Sequence, residues 1–544
     1  MEMTGGEAVV CALETLGVRH VFGIVSVHNL PIYDAMARRG TITPIAVRHE
    51  QAAAHAADGY ARATGELGVV IASTGPGTTN TMTGLFEASF ASSPVLLVTG
   101  QIDSRYLGKQ KGFLHEAEHQ RLMLSSLCRR ADTVRRTEDI GRVIIALADD
   151  IRAGRPQPGA VEIPIDQQYR RAEVAVPEPR AGGGYVPDAD AVAKVADALS
   201  AATRPVLWAG GGVVSSGAGP ALVALAERLG APVVTTIEGR GSIPEDHPLC
   251  LGALTTSPPV EDIVSSADVV LAVGTRFQGN STRNWSLSFG GTLAHLDADP
   301  AVIGRSYPTA LPVVGDARIG LQRVLSALGE VSTDPDHAEK ARSAAATARA
   351  DARAQLGEDH CQIMDAIRRH TPRESVIVRD ATVPAYLWGD RLLPILEPRT
   401  SMRPASAAIG PGLPLALGAA VGSEHPVVLI AGDGGFMLHL GELATAVQHD
   451  VPVVICLFND RGYGVLRGIQ ARQFDGRTTG VDLTTPDFPA LATSMGVQAS
   501  RVSDPAEFES RFRQAIESGR PALLDIDLLA LSPLRFPRPA ARNG

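Results

Sequence analysis

Two acidic residues stand at the ends of apolar runs, 27 residues apart, in the stretch GDGGFMLHLGELATAVQHDVPVVICLFND, residues 432–460. An apolar strand through Val427, Val428, Leu429 and Ile430 delivers Asp433 into a glycine-rich turn; a helix follows, and a second strand over 451–458 delivers Asn459 and Asp460. The spacing fits a helix and a strand crossing over to an adjacent parallel strand, so both carboxylates reach one edge of a parallel sheet. A hard cation takes carboxylate, carbonyl and phosphate oxygens, and the helix begins where an anion would sit. The stretch reads as a magnesium diphosphate clamp. A lone GDG would be an ordinary buried acidic turn; the second acidic strand end is what distinguishes this one.

A second group lies in the first third of the chain. A strand ending at Val47 leads to Arg48, His49 and Glu50, then to an alanine-rich helix through Arg62. Glu50 thus sits at a strand-to-helix junction, the edge of an α/β sheet where ligands bind. Taken alone, it would be a first-turn acid favoured by the helix dipole. The next strand, 69–72, opens into Ser73-Thr74-Gly75-Pro76-Gly77, whose glycines let backbone approach a ligand closely.

The elements that must position these residues fall into three α/β segments. At 544 residues and 57.0 kDa the chain exceeds one core, and usual domain sizes suggest about three. The expected domains are 1–170, 190–330 and 357–530, each a doubly wound parallel sheet. PVLWAGGG, PVVTTI, VVLAVG and TLAHLDAD supply strands of the middle segment. Residues 171–189 read as a linker, 332–360 as a solvated helix or linker, and the proline-rich tail after Ala530 as poorly ordered or draped on a partner. The first and third segments could share a fold without sharing sequence.

A net charge of −9 and the absence of basic blocks argue against nucleic acid or an anionic membrane surface as a partner. No apolar run approaches the roughly 18 residues that span a bilayer, and the beginning, MEMTGGEAVV, lacks a signal-peptide pattern, so a cytoplasmic location is expected. Five scattered cysteines without CxxC spacing suggest neither a disulfide framework nor a zinc site.

The clamp resembles the cofactor signature of thiamine diphosphate enzymes: GDG, about two dozen residues, then Asn-Asn or Asn-Asp. RHEQAAAHAADGYARATG, STGPG, SSPVLLVTG, VGTRFQGN, HLDADPAVIG, PVVGDAR and AAIGPGLPLALGAA extend the resemblance along the whole chain to the acetolactate synthase group. NDRGYGVLRGIQ and the segment through DFPALATSMGVQA lean towards benzoylformate decarboxylase. The resemblance implies pyrimidine-binding, central Rossmann-like and diphosphate-binding domains. It assigns magnesium to the side chains of Asp433 and Asp460 and the carbonyl of Gly462. Gly432, Gly434, Gly435 and Tyr463 would line the diphosphate, and Ser73, Gly75 and Gly77 the pyrimidine. Glu50 would hydrogen-bond the pyrimidine ring nitrogen, which prepares the cofactor to lose its carbon-2 proton. Ile409 would hold the cofactor bent, with backbone near Ala407 receiving the amino group.

In substrate choice the pattern departs from single relatives. His28 aligns with a pocket histidine of benzaldehyde lyase, whereas Val27 and Ser73 replace a serine and a histidine of benzoylformate decarboxylase. His115 takes the place of a glutamine that contacts intermediates in acetolactate synthase and benzaldehyde lyase. An imidazole at position 28 or 115 could hydrogen-bond a substrate oxygen and shuttle its proton. Arg155, Gly210–Gly212, Arg276 and Asp297 retain parts of an FAD pattern, but its histidine is missing from LGALTT and Asn280 replaces an arginine, which leaves FAD doubtful.

The expected activity is decarboxylation of a 2-keto acid with transfer of the acyl unit to a second carbonyl. The alternatives are a non-ligating decarboxylase, an acyloin or benzaldehyde lyase, or, from another class, a non-catalytic binding protein on the same fold. By the resemblance, the pyrimidine domain of one subunit faces the diphosphate domain of another. A homodimer or homotetramer with interfacial active sites is therefore expected.

Overall fold

In the computed structural model, which describes residues 1–180 and 184–534, three six-stranded parallel sheets follow one another along the chain. The first runs, in spatial order, Thr43–Ala46, His20–Gly23, Gly68–Ala72, Val95–Gln101, Gly159–Pro164, Arg130–Thr133. The third runs Ser401–Met402, Ile377–Arg379, Val427–Gly432, Val453–Asn459, Ala522–Asp527, Gln498–Val502. Numbered within each sheet by chain order, both read 2-1-3-4-6-5, so the first and third segments do share a topology. The middle sheet, built on Pro205–Ala209, reads 3-2-1-4-5-6, the dinucleotide-fold order.

The central strands of each sheet are buried on both faces, which is why they are nearly continuous apolar runs, whereas edge strands such as Arg130–Thr133 and Gln498–Val502 carry exposed polar residues. Along Val427–Gly432 the side chains alternate: Val428 and Ile430 join one core, and Val427, Leu429 and Ala431 join the other. The first and third domains meet through the helices Glu50–Thr64 and Gly412–Val421. The two backbones approach so closely that a Cβ at Gly418 would lie 1.8 Å from the Ala56 carbonyl oxygen. A Cβ at Gly59 would lie 2.1 Å from that of Leu415.

Three expectations change. The segment read as a solvated helix or linker is the helix His337–Leu356, whose Ala341, Ala345 and Ala348 form one stripe buried in the middle-domain core; spacing of three and four residues puts them on one face. Part of the 171–189 linker is a strand, Arg171–Glu173, paired antiparallel with Glu2–Thr4; residues 181–183 lie outside the described residues. Of the tail, Leu531 is buried in the third domain's core and the Ser532 hydroxyl donates to Asp359 Oδ2, while 535–544 lie outside the described residues.

Candidate active site

In a 2-1-3-4 sheet the loops after strands one and three diverge at the switch point and leave a crevice at the carboxyl edge. In the third domain the strands there end at Asp380, Asp433 and Asp460. Asp433 opens the one-turn helix Asp433–Phe436. Its Oδ2 accepts the Gly462 N–H at 2.8 Å, and its Oδ1 accepts the Asp460 N–H at 3.4 Å. Burial first, then the neighbouring Asp460, push the Asp433 carboxyl up to about 6. Burial also raises Asp460, against Arg467, whose Nη1 lies 3.2 Å from Asp460 Oδ2. Two neighbouring carboxylates and the Gly462 backbone are oxygen donors of the type a divalent cation takes, with Arg467 beside Asp460 as a competing partner.

The turn has no room for side chains. A Cβ at Gly434 would meet the Tyr463 ring at 2.7 Å, and one at Gly432 would meet Thr382 Oγ1 at 2.8 Å. At Gly435 it would stand 3.1 Å from Ile409 Cγ1. Gly432, Gly434, Gly435, Ile409, Gly462 and Tyr463 thus converge with the two aspartates in a turn that only glycine backbone can enter. Ile409 is 40% exposed, an apolar side chain facing open space near Leu438, which is 53% exposed. Ala407, two residues earlier, holds φ +62. The single helix expected across the crossover is broken into Asp433–Phe436, a 3₁₀ turn at Leu440–Glu442 and Leu443–Gln448. Gly434 and Gly435 are weak helix formers, and His439 Nδ1 lies 2.9 Å from the Gly410 carbonyl oxygen, turning the chain.

The first domain's carboxyl edge gathers the other group. Glu50 is the first residue of its helix, and its Oε2 accepts from Asn80 Nδ2 at 3.0 Å. A Cβ at Gly77 would lie 3.3 Å from Glu50 Oε1 and 2.8 Å from Ser73 Cβ. Gly75, at φ +60, would press a Cβ to 2.4 Å from the His115 carbonyl oxygen. Ser73 Oγ is 3.4 Å from His115 Nδ1, and the His115 and His28 rings are 5.1 Å apart. Burial, then His115, holds the His28 imidazole below its ordinary value. Among the described residues no hydrogen bond or ion pair joins this group to the Asp433 group. Glu50 and its neighbours thus form one group at the first domain's edge, and Asp433 and its neighbours another at the third's.

Several supporting residues escaped the sequence reading. Gln120 accepts the Thr74 hydroxyl at 2.9 Å and the Gly75 N–H at 2.7 Å, and donates to buried Glu162 at 2.8 Å. Asp380 and Glu87 hold the 403–412 segment, and Asn80 holds Glu50. Only Asp380 carried a signal, as an acid directly after an apolar strand.

A cleft of about 320 Å³ lies where the three domains meet, lined by Arg155, Gly211, Gly212, Arg276 and Asp297 among others. Burial, then Arg155, lowers Arg276 to about 10, and burial raises Asp297 to about 6. Arg155 also lies 3.7 Å from Asp299, and Arg276 donates to the Phe90 carbonyl oxygen.

Fold and site together define a thiamine pyrophosphate enzyme. Family models for the N-terminal TPP binding domain, the central domain and the C-terminal TPP binding domain of such enzymes match residues 3–123, 192–328 and 384–526. The chain belongs to this family, and within it is acetolactate synthase-like. It is 34% identical to a probable acetolactate synthase large subunit of Methanocaldococcus jannaschii, covering 96% of this chain and 92% of that protein. Identity is also 34% to a probable 2-ketoarginine decarboxylase, AruI, of Pseudomonas aeruginosa, over 96% and 94%. Against the acetolactate synthase isozyme 3 large subunit of Escherichia coli it is 32%, over 96% and 93%. Among the described residues no helix is long and apolar enough to cross a membrane.

Proposed function

We propose that this enzyme decarboxylates a 2-keto acid and passes the remaining acyl unit to a second carbonyl, as acetolactate synthases do. The observation that carries the reading is the pair of complementary half-sites, one built on Glu50 and one on Asp433, in a chain similar over nearly its full length to acetolactate synthases. Thiamine diphosphate, when bound, supplies a nucleophilic carbon for attack on the keto group. Asp433, Asp460 and the Gly462 carbonyl would hold magnesium, and Gly432, Gly434, Gly435 and Tyr463 would line the diphosphate. Glu50 would hydrogen-bond the pyrimidine, with Ser73, Gly75 and Gly77 beside it. Ile409 would support the cofactor, and a backbone carbonyl near Ala407 would accept from its amino group. His28, whose imidazole burial holds below its ordinary value, would take or return a proton at a substrate oxygen, with His115 as its neighbour.

The half-sites meet only if two chains pair, pyrimidine domain to diphosphate domain. Val25 and Val27, each 53% exposed beside His28, and exposed Ile409 and Leu438 support this, since such apolar surface favours burial. We take the functional units as 1–170, 190–330 and 357–530, with a cytoplasmic location supported by five free cysteines. The likeness to AruI favours a second reading, release of the acyl unit as an aldehyde. Carbon dioxide release from pyruvate with thiamine diphosphate and magnesium, with the organic product identified, tests both. Acetolactate supports carboligation and acetaldehyde the decarboxylase. Inactivity on pyruvate and on larger 2-keto acids alike refutes both.

A further inference from the structure

The segment 403–412, which carries Ala407 and Ile409, is gripped at both ends by buried carboxyl groups from different domains. At one end is Glu87, 1% exposed, in the first-domain helix Pro76–Ala91. It accepts the Ala405 N–H, the Ser406 hydroxyl and, at 3.3 Å, the Ser406 N–H. At the other end is Asp380, 2% exposed, which accepts the Gly410 N–H at 3.0 Å and the Gly412 N–H at 3.3 Å. Its Oδ1 also accepts the Ala381 N–H at 2.7 Å.

Between these grips the backbone holds two left-handed conformations, Ala407 at φ +62 and Gly410 at φ +99. A non-glycine residue keeps such a conformation only where its surroundings hold it. Both acids are held by N–H and O–H donors at hydrogen-bond distance, with Arg62 and Arg403 adding a longer-range attraction to Glu87. Replacing either with an apolar side chain would leave those donors without acceptors. Asp380 also reaches the diphosphate turn: its Oδ2 lies 3.2 Å from where a Gly435 Cβ would be. Glu87 shares its helix with Gly77 and Asn80, which pack against Glu50.

We infer that Glu87 and Asp380 are positioning residues that fix Ile409 and Ala407 for the cofactor through the backbone of 403–412, touching neither cofactor nor substrate themselves. The inference rests on the reading of this segment as the cofactor's seat. It makes the first domain responsible for shaping the diphosphate half-site of its own chain, while its Glu50 serves the pyrimidine half-site.

The test uses the full-length protein and the variants E87A, E87Q, D380N and S406A, the last two grips being milder should E87A fold poorly. Amide hydrogen exchange of the cofactor-free protein reports the grip directly. Thiamine diphosphate affinity with magnesium, by calorimetry, reports the functional reading. Deuterium exchange at carbon-2 of the bound cofactor reports the seat without any substrate. Exchange over 403–412 should rise about tenfold or more in E87A, E87Q and D380N, and less in S406A, with the strand Val269–Val273 as protected as in the wild type. Carbon-2 exchange should slow by about tenfold, while affinity changes by less than about threefold. Unchanged amide exchange overturns the inference, and so does a loosened segment with wild-type carbon-2 exchange. A wild-type protein that binds no thiamine diphosphate overturns the functional reading, and this inference with it.

Discussion

Replacing Gly418 with alanine should damage both stability and cofactor binding. The new Cβ would stand 1.8 Å from the Ala56 carbonyl oxygen and 2.5 Å from its carbon, against an ordinary contact of 3.4 Å or more. Both sides of the clash are backbone, so no side-chain rotation relieves it, and the helices Gly412–Val421 and Glu50–Thr64 must part by about 1.6 Å. Overpacking a tight core costs about 1–3 kcal/mol, and this rigid contact belongs at or above the upper end. For a unit of 150–250 residues that corresponds to a fall of about 6–12 °C in melting temperature. Ala56 lies six residues from Glu50 on the same helix, about 9 Å along its axis, so the carboxyl group moves as well. Differential scanning fluorimetry and calorimetric titration with thiamine diphosphate and magnesium measure the two effects. Gly441→Ala is the control, since its nearest neighbour, Arg48 Cβ, is 3.8 Å away. A Gly418→Ala protein that melts with the control would falsify the close-crossing account of this interface.

Glu50→Gln should lower kcat by about 10²-fold or more with little change in thiamine diphosphate affinity, because its proposed work is on a proton; steady-state kinetics with calorimetry decide, and unaltered kcat removes Glu50 from the mechanism. Stripping divalent cations with a chelator should weaken thiamine diphosphate binding by at least about tenfold, restored by magnesium, because buried Asp433 and half-buried Asp460 would otherwise face a diphosphate of like charge; equal affinity in both conditions refutes the clamp. Asp58 is buried with neither carboxyl oxygen hydrogen-bonded, and burial raises it to about 7 from 3.8. A carboxyl raised in the folded state contributes stability that is complete below pH 3.8 and is lost as pH rises through about 7, a change of about 2–4 kcal/mol. Asp58→Asn should flatten the pH slope of stability between those limits, and an undiminished slope in chemical or thermal melts contradicts the assignment.

Much of this was legible in the chain because local physics encodes it. Apolar runs ending in Asp433 and Asp460 mark strand ends, and a glycine cluster beside them marks a close backbone approach, so the placing of both acids at one sheet edge followed from spacing. The same held for Glu50 at its junction and for three doubly wound sheets. What the sequence did not convey depended on contacts far apart in the chain. Glu87 and Ala405 are 318 residues apart, and nothing local distinguishes an acid in mid-helix that will be buried against another domain's amide groups. Ala341, Ala345 and Ala348 looked like a solvated stripe, because alanine is neutral enough to suit water or core until a sheet covers it. The helix after Asp433 broke where glycines met a histidine bond to Gly410, a contact across 29 residues. Residue type and spacing set which chemistry is available, since they depend on neighbours a few positions away. Tertiary structure alone decided which backbone donors and which cations each acid would meet, because those partners come from distant parts of the chain.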